Sequence, residues 1–271
     1  MTSDRGRTLD TVCRGLLALE QPRRGYRFDL DPLLLAQFCL GRVQAPEAVV
    51  DLGAGCGVVG LLLGRHWPRC AVHLVELQAE LADLGRENAA RNALAERAVV
   101  HHADLRSWGA WPRPPRRPVL VVSNPPYFPT ASGRVSADPQ VAMARHELRC
   151  TLEELVATVA RNVAPGDLLA LIHLATRRES LLAALGDAFV VRRVRDVHPL
   201  PGRPRHRVLV LAERRGAEGS PPDGEVARVD PPLVVAEAVG RFSEELRDLL
   251  EPMGPLQLLT EEEPSERFTR S

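Results

Sequence analysis

From residue 48 onward, short apolar runs alternate with helical stretches, and that alternation restricts the chain to a mostly parallel sheet flanked by helices. AVVDLG (48–53) reads as the first strand, CGVVGLLLGRHW (56–67) as its helix and CAVHLVE (70–76) as the second strand. QAELADLGRENAARNAL (78–94) is an amphipathic helix, RAVVHHAD (97–104) a third strand and RPVLVVSN (117–124) a fourth. Thr151 with Glu154 makes a capping box that opens the helix TLEELVATVARNV, and the turn APGD leads into a fifth strand, LLALIHL (168–174). After the helix RRESLLAALGDA come FVVRRVRDV and RHRVLVLAE, joined by the Pro/Gly-containing HPLPGRP. The expectation is an α/β fold with a seven-stranded, mostly parallel sheet that ends in an antiparallel hairpin strand.

Around this core (48–215), residues 1–47 read as an N-terminal helical segment at the entrance to the domain. Residues 216–250 read as a loop and C-terminal appendage, and 251–271 as a disordered tail. Thirty-five basic residues balance thirty-five acidic ones, so no global field draws in nucleic acid and any phosphate binding must be local. All the basic residues are arginine. Five cysteines without a C-x-x-C argue against a disulfide framework or a zinc site, and no metal is expected. No apolar run reaches membrane-spanning length, so no membrane partner is expected and a soluble cytoplasmic protein is.

Gly53, Gly55 and Gly57 in VVDLGAGCGVVG stand between an apolar strand and an apolar helix, where the backbone must turn sharply and a ligand can approach without meeting a Cβ. The spacing is G-x-G-x-G, not the G-x-G-x-x-G of a dinucleotide fingerprint, and a chain without lysine has no Walker lysine. Glu76 closes the second strand about twenty residues past the loop, where acids in such folds meet ribose hydroxyls. Asp104 closes the third strand in the same way. Singly, each acid is as readily a solvated strand-end cap, and the glycines a tight turn. In this order, with Asp51 ahead of the loop, they resemble the S-adenosylmethionine pocket of class I methyltransferases. The resemblance implies a Rossmann-like fold with that cofactor. It puts Glu76 at the ribose, Asp104 at the adenine amine and Asp51 near the methionine amino group, with Gly53, Ala54, Gly55, Gly57, Leu77, Leu105 and Asn124 as further cofactor-binding residues. Cys56 reads as a small filler, since no histidine is placed to activate it.

VVSNPPYFP (121–129) ends the fourth strand with an amide, two prolines and a tyrosine. Asn124 thereby faces the same crevice as the glycine loop, at the carboxyl edge of the sheet. A planar NH₂ group is a poor nucleophile because its lone pair is delocalised. Accepting its two hydrogens on the Asn124 amide oxygen and the Pro125 carbonyl localises that lone pair and aims it, which is orientation and electrostatics rather than proton abstraction. Pro125 and Pro126 hold the two acceptors still, and Tyr127 offers a ring for a planar substrate to stack on. The plain alternative is a Pro-rich turn with Tyr127 as surface packing. After a G-x-G-x-G strand, Asn-Pro-Pro-Tyr points to methylation of an amide or amino nitrogen and leaves the substrate open.

The flanks narrow it. QPRRGYRFDLDPLLLAQF, VVDLGAGCGVVGLLL, VVSNPPYF, ARHEL, RHRVLVLAE and PLVVAEAVGRFSEEL together resemble the tRNA1(Val) adenine-N6 methyltransferases, over roughly residues 9–250. The resemblance implies tRNA as partner and modification of adenine 37, just 3′ of the anticodon, where extruding an unpaired base costs little. It assigns Gly25, Arg27 and Asp31 to a segment beside the methionine end of the cofactor, Asn124, Pro125, Pro126 and Tyr127 to catalysis, and Arg145, His146 and Glu147 to a loop that contacts substrate. Asp31 is equally an N-cap for PLLLAQF, with Pro32 at the first helical position. Phe242 stands where a tyrosine is frequent, and the last twenty residues have no counterpart.

Three arginine clusters could bind RNA or simply be solvated faces: Arg23, Arg24 and Arg27; Arg113, Arg116 and Arg117; and Arg192, Arg193, Arg203, Arg205 and Arg207, of which Arg203 and Arg205 are the favoured substrate contacts. His101 and His102 read as ordinary strand residues. Two rival activities resemble the chain at the same tetrapeptide. Glutamine-N5 methyltransferases of release factors carry a substantial helical domain ahead of the cofactor strand; ribosomal-RNA guanine-N2 methyltransferases more often carry Phe in the tetrapeptide and a duplicated domain. A non-catalytic protein that binds RNA or cofactor is the remaining alternative, and the oligomeric state is left open.

Overall fold

Strands β3 (Ala48–Leu52) and β6 (Val119–Ser123) are buried along their whole length, as expected of parallel strands covered on both faces. A computed structural model describes residues 6–23, 28–110, 117–125, 150–216, 227–238 and 241–250. The remaining strands are β1 (Arg7–Val12), β2 (Leu17–Pro22), β4 (Ala71–Glu76), β5 (Ala98–His102), β7 (Leu168–Leu174), β8 (Phe189–His198), β9 (Arg207–Arg214), β10 (Arg228–Val229), β11 (Leu233–Val234), β12 (Ala236–Ala238) and β13 (Arg241–Phe242). The helices are α1 (Asp31–Leu40), α2 (Val58–His66), α3 (Ala79–Arg91), α4 (Leu152–Asn162), α5 (Arg178–Leu185) and α6 (Glu244–Leu250).

Among the described residues the main sheet runs β10-β8-β9-β7-β6-β3-β4-β5, with β11 also paired to β8. β3 to β7 are mutually parallel, and β9 lies antiparallel between β7 and β8. The seven expected strands are all present. The sheet has nine because β10 and β11, two residues each, extend its edge parallel to β8; two residues carry no periodicity from which a strand could be read. One face packs Leu34, Phe38, Leu61 and Leu62 against Val49 and Leu74. The other packs Leu155, Val159 and Phe189 against Val50 and Val121. Both layers bring the ends of β3, β4, β5 and β6 to one carboxyl edge. No described helix is long and apolar enough to cross a membrane.

The helical reading of residues 1–47 is corrected. Among the described residues there, only α1 is a regular helix, and β1 and β2 form an antiparallel hairpin in register from Arg7↔Pro22 to Val12↔Leu17. β2 alternates buried Leu17, Leu19 and Gln21 with half-buried residues, a period of two. Its backbone is then held by two asparagines one turn apart on the α3 side. The Asn88 amide accepts from Glu20 N–H (2.7 Å) and donates to Glu20 C=O (3.0 Å). Asn92 does the same with Ala18, at 2.9 and 2.7 Å. Two side chains thus substitute for a neighbouring strand.

Candidate active site

The glycine loop leaves the end of β3 by folding over the end of β4: the N–H groups of Gly53 and Ala54 both donate to Val75 C=O, at 2.9 and 3.0 Å. Gly53 has φ +73°, and a Cβ there would meet no atom within 4 Å, so the backbone is bare toward open space. Gly57 has φ +93°, and a Cβ would come within 2.9 Å of Leu61 and Leu74, so close packing of α2 on β4 demands glycine.

Two buried carboxylates brace this loop. Glu76 accepts from the N–H of Gly55 and of Gln78, both at 2.8 Å. Burial raises its pKa, opposed by those backbone donors. Asp51, 1% exposed, accepts from Gly60 N–H at 2.8 Å. Burial pushes its pKa up to about 7, with the Gly60 N–H opposing and the Glu76 charge adding. Cys56 is buried and its thiol is pushed up to about 12 by burial, in keeping with a filler rather than a nucleophile.

The crevice along the carboxyl edge has two lobes. Gly53, Glu76, Leu77, Asp104, Leu105 and Pro125 line the first, and Asp51, Gly53, Ala54 and Asn124 the second. They meet at Gly53 and at the Asn124–Pro125 peptide. Both lobes open to solvent. Asn124 follows Ser123, whose hydroxyl donates to Leu52 C=O at 2.7 Å and so ties the end of β6 to the end of β3. The Asp104 carboxylate is gripped by the Arg106 guanidinium (Nε to both oxygens, 3.0 and 2.9 Å), and these hydrogen bonds hold its pKa below the usual range.

Sequence reasoning missed Arg106, Ser123 and Cys150 in the first lobe and Phe28 and Pro32 in the second. The run FDLDP was the available signal for the last two.

Several expected site residues stand elsewhere. Gly55 and Gly57 shape the loop without lining either lobe. Asp31 lines neither lobe and is not the N-cap. It is the first residue of α1, the Asp29 carboxylate accepts its N–H (3.0 Å), and its own carboxylate accepts from Arg207 Nε (2.6 Å). Arg203 and Arg205 are exposed on the β8–β9 connection and line neither lobe, and Arg205 pairs with Asp196 at 3.0 Å. In the same cluster Arg192 pairs with Glu213 and Arg193 with Asp230, and Arg117 of the second cluster pairs with buried Asp167. Gly25, Arg27, Pro126, Tyr127, Arg145, His146 and Glu147, with Arg24, Arg113 and Arg116, lie outside the described residues.

A bare glycine turn, acids at two strand ends and an Asn-Pro step at the end of β6, all on one edge of a sheet with an inserted antiparallel strand, define a Rossmann-like class I methyltransferase. The family model for the methyltransferase small domain matches residues 29–151. An Agrobacterium tumefaciens structure described as a predicted O-methyltransferase is 25% identical with a TM-score of 0.60, covering 81% of this chain and 94% of that one. The 16S rRNA N2 G1207 methyltransferase of T. thermophilus, in complex with AdoMet and guanosine, shares the fold at 21% identity and a TM-score of 0.52, over 77% of this chain and 50% of that one. A Porphyromonas gingivalis tRNA1(Val) (adenine(37)-N6)-methyltransferase is 31% identical over 211 residues, 76% of this chain and 79% of the relative. The chain belongs to the tRNA1(Val) (adenine(37)-N6)-methyltransferase family.

Proposed function

We propose that this protein methylates the exocyclic N6 amine of an adenine in tRNA, adenine 37 of a tRNA1(Val)-type substrate, with S-adenosylmethionine as cofactor. The observation that carries the reading is Asn124: it lines the same lobe as Asp51 and the bare backbone of Gly53, so an amine held there faces the cofactor crevice. The residues suit the cofactor. An open path at Gly53 leaves room for its body, buried Glu76 can accept from ribose hydroxyls, and Asp51 can face a cationic amino group. The cofactor's sulfonium supplies an electrophilic methyl group. Asn124 Oδ1 and Pro125 C=O accept the two amine hydrogens, orienting the nitrogen lone pair across the crevice without removing a proton first. Leu77 and Leu105 flank the adenine of the cofactor. Pro126 keeps the acceptors rigid, Tyr127 stacks on the target base, and Arg145 and His146 contact the tRNA.

Incubating the protein with labelled cofactor and, separately, tRNA1(Val), 16S rRNA and a release factor tests the assignment. Mass spectrometry of the digests should find N6-methyladenosine at position 37 of the tRNA. N2-methylguanosine in the rRNA, or N5-methylglutamine in the release factor, with unmodified tRNA would replace it.

A further inference from the structure

We infer that Arg207, outside the crevice, is a positioning residue: through Asp31 it fixes the wall that Phe28 and Pro32 present to the second lobe. The inference rests on the reading of that lobe as the methionine half of the cofactor site.

Residues 28–32 lead into the first turn of α1 and contribute Phe28 and Pro32 to the lobe. They are held at both ends by directional bonds. On the hairpin side, buried Gln21 accepts from Phe28 N–H (3.2 Å) through Oε1 and donates to Asp10 through Nε2 (2.8 Å). On the helix side, Asp29 caps the N–H of Asp31, whose carboxylate takes the Arg207 Nε–H at 2.6 Å. Arg207 stands opposite Leu174 in the β7–β9 register, so the bond ties the start of α1 to the same carboxyl edge that carries Asn124. The pair is well shielded, with 5% and 17% of the two side chains exposed.

α1 presents buried leucines almost all round and needs no ion pair to stay on the sheet. Apolar burial is non-directional, however, and tolerates small slides and rotations. A short charge-assisted bond does not. Its consequence is local, because the first lobe is built from the ends of β3 to β6 and the start of α4, without residues 28–32.

The test is calorimetric binding of S-adenosylhomocysteine and of 5′-methylthioadenosine, which lacks the amino-acid portion. The double variant Asp31→Asn/Arg207→Met removes the bridge without leaving a lone buried charge. It should bind S-adenosylhomocysteine about tenfold more weakly, the lower end of what losing a supporting partner costs in metal sites, and bind methylthioadenosine as the parent does. Gln21→Met, at the opposite end of the segment, should give the same split, so the inference does not depend on one variant folding. Arg207→Lys, which keeps a charged donor, should restore most of the loss. Variants that bind both ligands like the parent, or lose both equally, overturn the positioning role while leaving the cofactor site standing. A parent protein that binds neither ligand sinks the reading of the crevice and this inference with it.

Discussion

Asp51 keeps its proton through a pH range in which an ordinary aspartate has lost it, because burial raises its pKa from 3.8 to about 7. The folded chain binds that proton more tightly than the unfolded chain. This group's contribution to stability is therefore greatest at low pH, declines as pH rises from about 4 to about 7, and is level above. A cationic amino group in the lobe favours the ionised form, so cofactor affinity should climb between about pH 6 and about pH 8. Titration calorimetry across that range should show the rise in the parent and a flat profile in Asp51→Asn; a parent profile as flat as the variant's would separate Asp51 from cofactor binding. Asn124→Ala removes one preorganised acceptor and should slow turnover by about 10²- to 10³-fold. Cofactor affinity should hold, and near-normal single-turnover rates would take Asn124 out of the chemistry.

The β1–β2 hairpin shows how a segment can be strand-like without joining the main sheet. Asn88 also donates to Cys56 C=O at 3.0 Å, so one buried amide joins hairpin, α3 and glycine loop. Asn88→Ala leaves buried backbone groups of Glu20 and Cys56 without those partners and should cost about 1–3 kcal/mol of stability, measured by chemical denaturation. Amide exchange at Ala18 and Glu20 should accelerate with it, and unchanged protection would mean that Asn92 suffices. By contrast, the Thr151–Glu154 capping box forms as its residues predict, each side chain bonding the other's N–H at 3.1 and 2.8 Å. Thr151→Ala should cost about 1 kcal/mol in the same assay. The cap was legible because all its partners lie within four residues. The hairpin was not, because the groups that recognise its backbone lie 68 and 74 residues away.

With no net charge overall, the chain must gather any RNA-binding field from part of its surface. Arg192, Arg193, Arg205 and Arg207 already face Glu213, Asp230, Asp196 and Asp31, so the third arginine cluster is a weaker field than its count of cations suggests. Replacing Arg203 and Arg205 together with Ala should weaken tRNA binding and lower the salt dependence by about one phosphate's worth rather than two, since Arg205 is shared with Asp196. An unchanged salt slope in filter binding would mark this connection as a solvated surface.

Within residues 48–215, local pattern alone determined the order of strands and helices, the glycine turn, the two strand-end acids and the Asn-Pro step, because each follows from the spacing of apolar residues or from backbone geometry within a few positions. Parallel topology then brings those strand ends to one edge, so the part of the crevice carried by Gly53, Glu76, Asp104 and the Asn124–Pro125 step was legible, whereas Phe28, Pro32, Arg106 and Cys150 were not. What only the tertiary structure decided is which polar groups meet across distance: Asp31 with Arg207, Gln21 with the backbone of Phe28, Asn88 with that of Glu20. Apolar periodicity says which face of a segment is buried but carries no direction within the buried layer. Such pairings, Asp31 with Arg207 among them, are set only when the chain has closed in space.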